Sequence, residues 1–183
     1  MKRGLRAAGA AAVGLSMLAA AGCGGGNHKV PAADVRSYVA AVEKVRLPVN
    51  TLLNGADPIL DAYHDHRITP AQASARMGAL EQAFAGYTMH MQQIEPSNRQ
   101  LEAMNAPYAQ TYFYEDSYLA TMASDLAEGD FDNLPNTQDA QRLAIIIWRT
   151  RLEAVAARSG VTLPADVQQA GRGEIAPGPP GRS

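Results

Sequence analysis

Two histidines, His64 and His66, flank Asp65 and form the part of the sequence most like a set of metal ligands. Imidazole and carboxylate groups together suit zinc, copper or nickel. Glu128 and Asp130 could complete such a set if the fold brings them to the same end. However, residues at positions i and i+2 point about 200° apart on a helix, so the connection would have to unwind. The same residues suit a solvated helix end, and we assign no metal.

Glu115 is the one charged residue within an apolar stripe of helical spacing that includes Tyr108 and Tyr112. A buried carboxylate needs a partner or a raised pKa. One interpretation is a buried pair between Glu115 and Arg151 that fixes the register of two helices. The other is an internal site lined by Glu115 and the two tyrosines, since tyrosine has an apolar body and a polar tip. Ordinary packing of both tyrosines is the simpler alternative.

The sequence contains no pattern typical of a catalytic site. It has no Gly-x-Ser-x-Gly motif, no glycine-rich phosphate loop and one cysteine. Its 183 residues carry a formal net charge of −2, which excludes a strongly basic nucleic-acid-binding protein. Hydrophobic residues make up 46%, enough for a packed core. We therefore expect no enzyme, no cofactor and no nucleic-acid partner.

Four segments with helical periodicity must position these residues, and no segment resembles a strand. The first segment runs from Val35 to Tyr63, where prolines and an Asn-Gly pair predict either a kink or a break. The other three begin at predicted N-caps and end at proline or glycine. Their predicted bounds are Thr69 to Glu95, Ser97 to Gly129, and Thr137 to Gly160.

Amphipathic helices joined by short connections favour an antiparallel bundle. We predict an all-α fold, an up-down-up-down four-helix bundle over residues 34–160 with a kinked first helix. Residues 23–33 are predicted to be a flexible tether because they include three consecutive glycines. Residues 161–183 are rich in glycine, proline and arginine, which predicts a disordered tail.

The first residues have the pattern of an export signal. Lys2, Arg3 and Arg6 precede 15 small or apolar residues, 7–21, which are too few for a transmembrane helix. Residues 18–23, Leu-Ala-Ala-Ala-Gly-Cys, resemble the lipobox of bacterial lipoproteins, although Ala20 stands where that family most often has leucine. The resemblance covers residues 1–26 only. It implies a signal peptide over 1–22 and fatty acylation, such as palmitate, on Cys23.

This resemblance implies a protein held on the extracytoplasmic face of a cell membrane by its lipid anchor. The remainder resembles small helical-bundle lipoproteins of the cell envelope without pointing to one family. We therefore expect a non-enzymatic bundle that binds an unknown protein or small molecule or has an accessory role in the envelope. The alternative is an extracytoplasmic metal-binding protein that uses the cluster of histidines and carboxylates at the distal end. An ordinary secreted protein with a free thiol is the simpler alternative to lipidation.

Overall fold

A computed structural model describes residues 29–132, 134–171 and 175–178. These residues form five α-helices and a 3₁₀ turn, and no strand occurs among them. The helices are α1 (Ala32–Leu53), α2 (Ala56–His64), α3 (Pro70–Gln92), α4 (Arg99–Glu128) and α5 (Gln138–Ser159), and the 3₁₀ turn is Val167–Gln169. None of the described helices is both long enough and apolar enough to span a bilayer. Cys23 and the predicted signal peptide lie outside the described residues.

The predicted all-α fold with a kinked first helix is confirmed, since α1 and α2 together form one bent helix. The bend lies at Asn54–Gly55, whereas α1 continues through Pro48. Pro58, in the first turn of α2, explains the position of the bend. In a continuous helix, the ring of Pro58 would clash with the carbonyl of residue 54. In the first turn of a new helix the clash is absent, and the missing N–H of proline costs no hydrogen bond.

Local sequence signals set the ends of the helices. The predicted capping box of α3 is present, because Thr69 Oγ1 accepts from the Gln72 backbone (3.2 Å) and Gln72 Oε1 accepts from the Thr69 backbone (2.9 Å). The N-cap of α4 is Asn98 and not the predicted Ser97. Helices α4 and α5 end at Gly129 and Gly160, whose φ angles of 73° and 69° are left-handed.

The helices form an antiparallel ring in which α1 and α2 pack on α3, α3 on α4, α4 on α5, and α5 on α1. The contact between α3 and α4 is the most extensive. Each helix buries the apolar stripe seen in the sequence. The largest fully buried side chains are Trp148, Tyr108, Phe84, Met77, Met91, Leu101, Leu119 and Met122.

The chain after α5 packs along the bundle where a disordered tail was predicted. We call residues 161–171 and 175–178 the C-terminal segment. Its apolar residues Leu163, Val167, Ala170 and Ala176 are buried. It runs back along α5, since Ala170 O accepts from Arg149 (2.8 Å) and Ala176 O accepts from Gln138, at the start of α5 (2.8 Å). The high glycine and proline content of this stretch favoured disorder in the sequence analysis, although it also contains these few apolar residues.

Candidate functional site

Two aromatic residues of α4, Tyr108 and Tyr112, form a column through the centre of the bundle. The ring of Tyr108 stacks on Trp148 of α5, with centroids 4.0 Å apart. Tyr112 stacks on Phe84 of α3 at 5.7 Å and meets Tyr108 edge-on at 5.8 Å. The column therefore connects three helices through their largest side chains, and both tyrosines belong to the core.

Tyr38 of α1 joins this column through a buried network of hydrogen bonds. Its hydroxyl accepts from the Trp148 indole (2.7 Å) and donates to Asn105 Oδ1 (3.0 Å). The Asn105 amide donates in turn to the carbonyl of Ile94 (3.3 Å). Burial raises the pKa of Tyr38 above its usual range, so its hydroxyl remains neutral. Sequence analysis did not identify Asn105. The one indication in the sequence is that this amide side chain lies on the core-facing side of α4.

Glu115 is buried as predicted, but its partners differ from the prediction. Its Oε2 accepts from Gln141 Nε2 (2.9 Å), and its Oε1 accepts from the backbone N–H of Ala176 (2.7 Å). Arg151 is exposed and forms no pair with Glu115. The register of the helices explains this difference. Gln141 lies opposite Glu115, and Arg151 is ten residues, about 15 Å, further along α5.

The surroundings of Glu115 favour its neutral form. Burial raises its pKa, and the hydrogen bonds from Ala176 and Gln141 lower it by less. The adjoining cavity measures about 10 Å³ and is lined by Tyr112, Thr111 and Phe84 among others. Such a volume holds about one water molecule. In this conformation, the predicted internal site therefore has no room for an organic ligand.

A second buried ionic group, which sequence analysis missed, attaches the C-terminal segment to α1. Arg46 is 2% exposed and donates to Glu43 (3.0 Å) and to the Asp166 carboxylate (2.5 Å) and carbonyl (2.7 Å). Burial and the neighbouring Asp166 raise the pKa of Glu43 to about 7, against the effect of Arg46. The pKa of Asp166 is lowered by its hydrogen bond with Glu43 and by Arg46. In the sequence, this ionic group is indicated only by an arginine that lies between two valines of the apolar stripe of α1.

His64 and His66 lie at the end of the bundle that is far from the start of α1. His66 occupies the left-handed position after α2, with φ at 56°. The Arg67 N–H bonds to Ala62 O (2.8 Å), which is the Schellman arrangement, with histidine where glycine is usual. Both histidines line an open hollow of about 320 Å³, together with Tyr63, Ile68, Pro70 and Phe131.

Glu128 and Asp130 reach the same end, because the ring of Phe131 meets Tyr63 edge-on at 6.2 Å. Glu128 is the last residue of α4, and Asp130 accepts a hydrogen bond from the Asp132 backbone (2.9 Å). The fold thus brings the predicted residues to one end. Within the described ranges, however, no three His, Cys, Asp or Glu residues are grouped so that they could hold a metal ion.

Asp125, one turn before the end of α4, is the least satisfied carboxylate at this end. It is 5% exposed, and its buried Oδ2 has no hydrogen-bond partner. Desolvation raises its pKa, and the negative charges of Asp130 and Glu128 raise it further. Three carboxylates are therefore close enough to repel one another where α4 ends.

No protein family, curated protein or solved structure matches this chain.

Proposed function

We propose that this chain is a lipid-anchored protein of the extracytoplasmic face of a cell membrane. In this proposal, its helical bundle binds a partner or has an accessory role in the envelope and performs no catalysis. The observation that carries the proposal is the position of Cys23. It is the only cysteine, and it directly follows a basic start and a short apolar stretch that ends in small residues. Diacyl or triacyl modification there would provide the multiple chains that stable membrane attachment requires.

The spacing between Cys23 and the bundle supports this arrangement. Eight residues, 24–31, separate the cysteine from the first residue of α1, and three of them are consecutive glycines. Val30 is already buried in the bundle, and its carbonyl accepts from Ser159 (2.7 Å), so the predicted tether of residues 23–33 is too long by its last residues. Residues 24–29 then span at most about 21 Å. Helices α1 and α2 together extend about 45 Å in the direction away from this attachment point. The connection of α2 to α3 would then be the part of the bundle furthest from the bilayer.

The buried polar groups support a binding or accessory role over catalysis. Glu115 and Arg46 have their hydrogen bonds completed by groups of the bundle and of the C-terminal segment. The cavity beside Glu115 is too small for a substrate. These buried polar groups therefore hold the fold together, and the surfaces remain for contacts with a partner.

The test is expression of the full chain and of Cys23→Ser in a bacterium, followed by membrane fractionation and intact-mass measurement. We expect the parent in the membrane fraction with an acylated, processed terminus, and the variant unprocessed or released. Ala20→Leu is the matched control, since it restores the more usual lipobox residue and should be acylated as well. An unmodified thiol at residue 23 in the parent, or unchanged acylation of Cys23→Ser, would disprove the proposal.

A further inference from the structure

The end of α4 collects negative charge where the helix itself is negative. The C-terminal end of an α-helix carries a partial negative charge, so acidic residues there are unfavourable and basic ones favourable. The last turn of α4 has no basic residue and includes Glu128, with Asp125 immediately before it. Asp130 follows the terminating glycine. The bundle therefore retains an arrangement that costs it stability.

Asp125 gives this cluster a feature beyond its charge. It is nine-tenths buried or more, and its Oδ2 lacks any hydrogen-bond donor. A buried carboxylate oxygen without a partner is costly, and a cation that donates hydrogen bonds to it would remove the cost. Because Glu128 and Asp130 both act on its pKa, the three carboxylates form one electrostatic unit. That unit has no cation of its own in the described part of the chain.

The hollow lined by both histidines lies beside the stretch of chain that carries Glu128 and Asp130, because Phe131 lines it. The Tyr63 hydroxyl lies 3.5 Å from the position that a β-carbon on Gly129 would occupy, between Glu128 and Asp130. The Tyr63 and Phe131 rings and the apolar Ile68 and Pro70 form much of its wall. Aromatic faces attract cations, and apolar walls cover the methylene groups that carry them. Anionic and apolar surfaces thus lie side by side.

We propose that this end of the bundle binds an organic cation, an alkylammonium or alkylguanidinium group whose apolar stem lies in the hollow. Asp125, Glu128 and Asp130 attract the charged head, and Tyr63 and Phe131 contact the stem. A bare metal ion fits less well, because the described residues offer no group of three converging ligands. The cation is either a free amine or a Lys or Arg side chain of another protein. This inference deepens the binding role proposed above, but it does not depend on the lipid anchor.

The test is calorimetric titration of the full chain in uncharged detergent at fixed ionic strength. The probes are N-butylguanidinium, 1,5-diaminopentane and a ten-residue peptide with four arginines, with NaCl as the reference. We expect Glu128→Gln combined with Asp130→Asn to weaken binding about fivefold or more. Asp125→Asn should weaken it similarly. Glu102→Gln, an exposed carboxylate at the other end of α4, is the matched control and should leave binding unchanged.

The melting temperatures of the variants distinguish loss of a binding site from damage to the fold. Because these carboxylates repel one another, their neutral variants should melt at the same temperature as the parent or higher while binding less. Tighter binding of the peptide would identify a protein partner, and equal or tighter binding of a free amine would identify a small molecule. Absence of binding by all three probes, or equal binding by parent and variants, would overturn the inference. Cys23→Ser should bind like the parent, so failure of the anchor and failure of this site are distinguishable.

Discussion

The contact between Glu43 and Asp166 makes the stability of this protein depend on pH. Burial and Asp166 raise the pKa of Glu43 from 4.5 to about 7 in the folded chain. A carboxyl group with a raised pKa binds its proton more tightly when folded. Its stabilising contribution is therefore complete below pH 4.5 and is lost as the pH rises through 7. We predict that Glu43→Gln, which imitates the protonated group, removes this dependence.

The magnitude follows from the pKa of Glu43 and from the exposure of the two carboxylates. A change from 4.5 to about 7 corresponds to about 3.4 kcal/mol in a fully buried site. The side chains of Glu43 and Asp166 are 13% and 40% exposed, so solvent screens the interaction. We reduce the value to about 1 kcal/mol for this reason. Glu43→Gln should match the parent at pH 4.5 and exceed its stability by about 1 kcal/mol at pH 8.5.

Urea unfolding of the full chain, followed by helical circular dichroism at pH 4.5, 5.5, 6.5, 7.5 and 8.5, measures this difference. The raised pKa of Glu115 acts in the same direction, but it is common to both proteins and cancels in the comparison. The lowered pKa of Asp166 matters only as the pH falls toward and below its usual value of 3.8. Glu102→Gln serves as the control for removing an exposed charge. A difference between Glu43→Gln and the parent that is the same at every pH would refute the reasoning.

Three further substitutions test separate parts of the structure by the free energy of unfolding. His66→Gly should stabilise the protein by about 1 kcal/mol, because a left-handed residue with a side chain is strained, and His66→Ala should give no such gain. Tyr38→Phe should cost about 2 kcal/mol, because it leaves the Trp148 indole and Asn105 without their buried partner; an unchanged value would contradict the network. Leu163→Ala should cost about 2 kcal/mol and speed proteolysis of the C-terminal segment; parent-like values in both assays would mean that this segment does not stabilise the bundle.

The helices were predictable because each carries its own signals. Periodic apolar residues mark the buried faces, and the capping box at Thr69 and Gln72 marks the start of α3. The position of the bend in the first helix was not decided by sequence, since Pro48 and Pro58 are both compatible with a kink. The structure shows that α1 continues through Pro48 and that the chain bends shortly before Pro58.

The partners of Glu115 were beyond what sequence could provide. Its burial followed from its place in the stripe, but the opposing residue depends on the register of two helices of different length. Gln141 faces Glu115 because α5 begins near the middle of α4, and a backbone N–H such as that of Ala176 has no side-chain signal. Asp166 was missed for a related reason, because its contact with Arg46 joins residues 120 positions apart.

The path of the C-terminal segment has a consequence for the order in which the protein can mature. A ribosome makes the C-terminal segment only after all five helices, yet Asp166 of this segment accepts from the buried Arg46, and Ala176 donates to Glu115. Until this segment emerges, Arg46 and Glu115 lack their final neighbours in the growing chain. The core is therefore completed only after this segment, with its 3₁₀ turn, has been synthesised and packs on the helices.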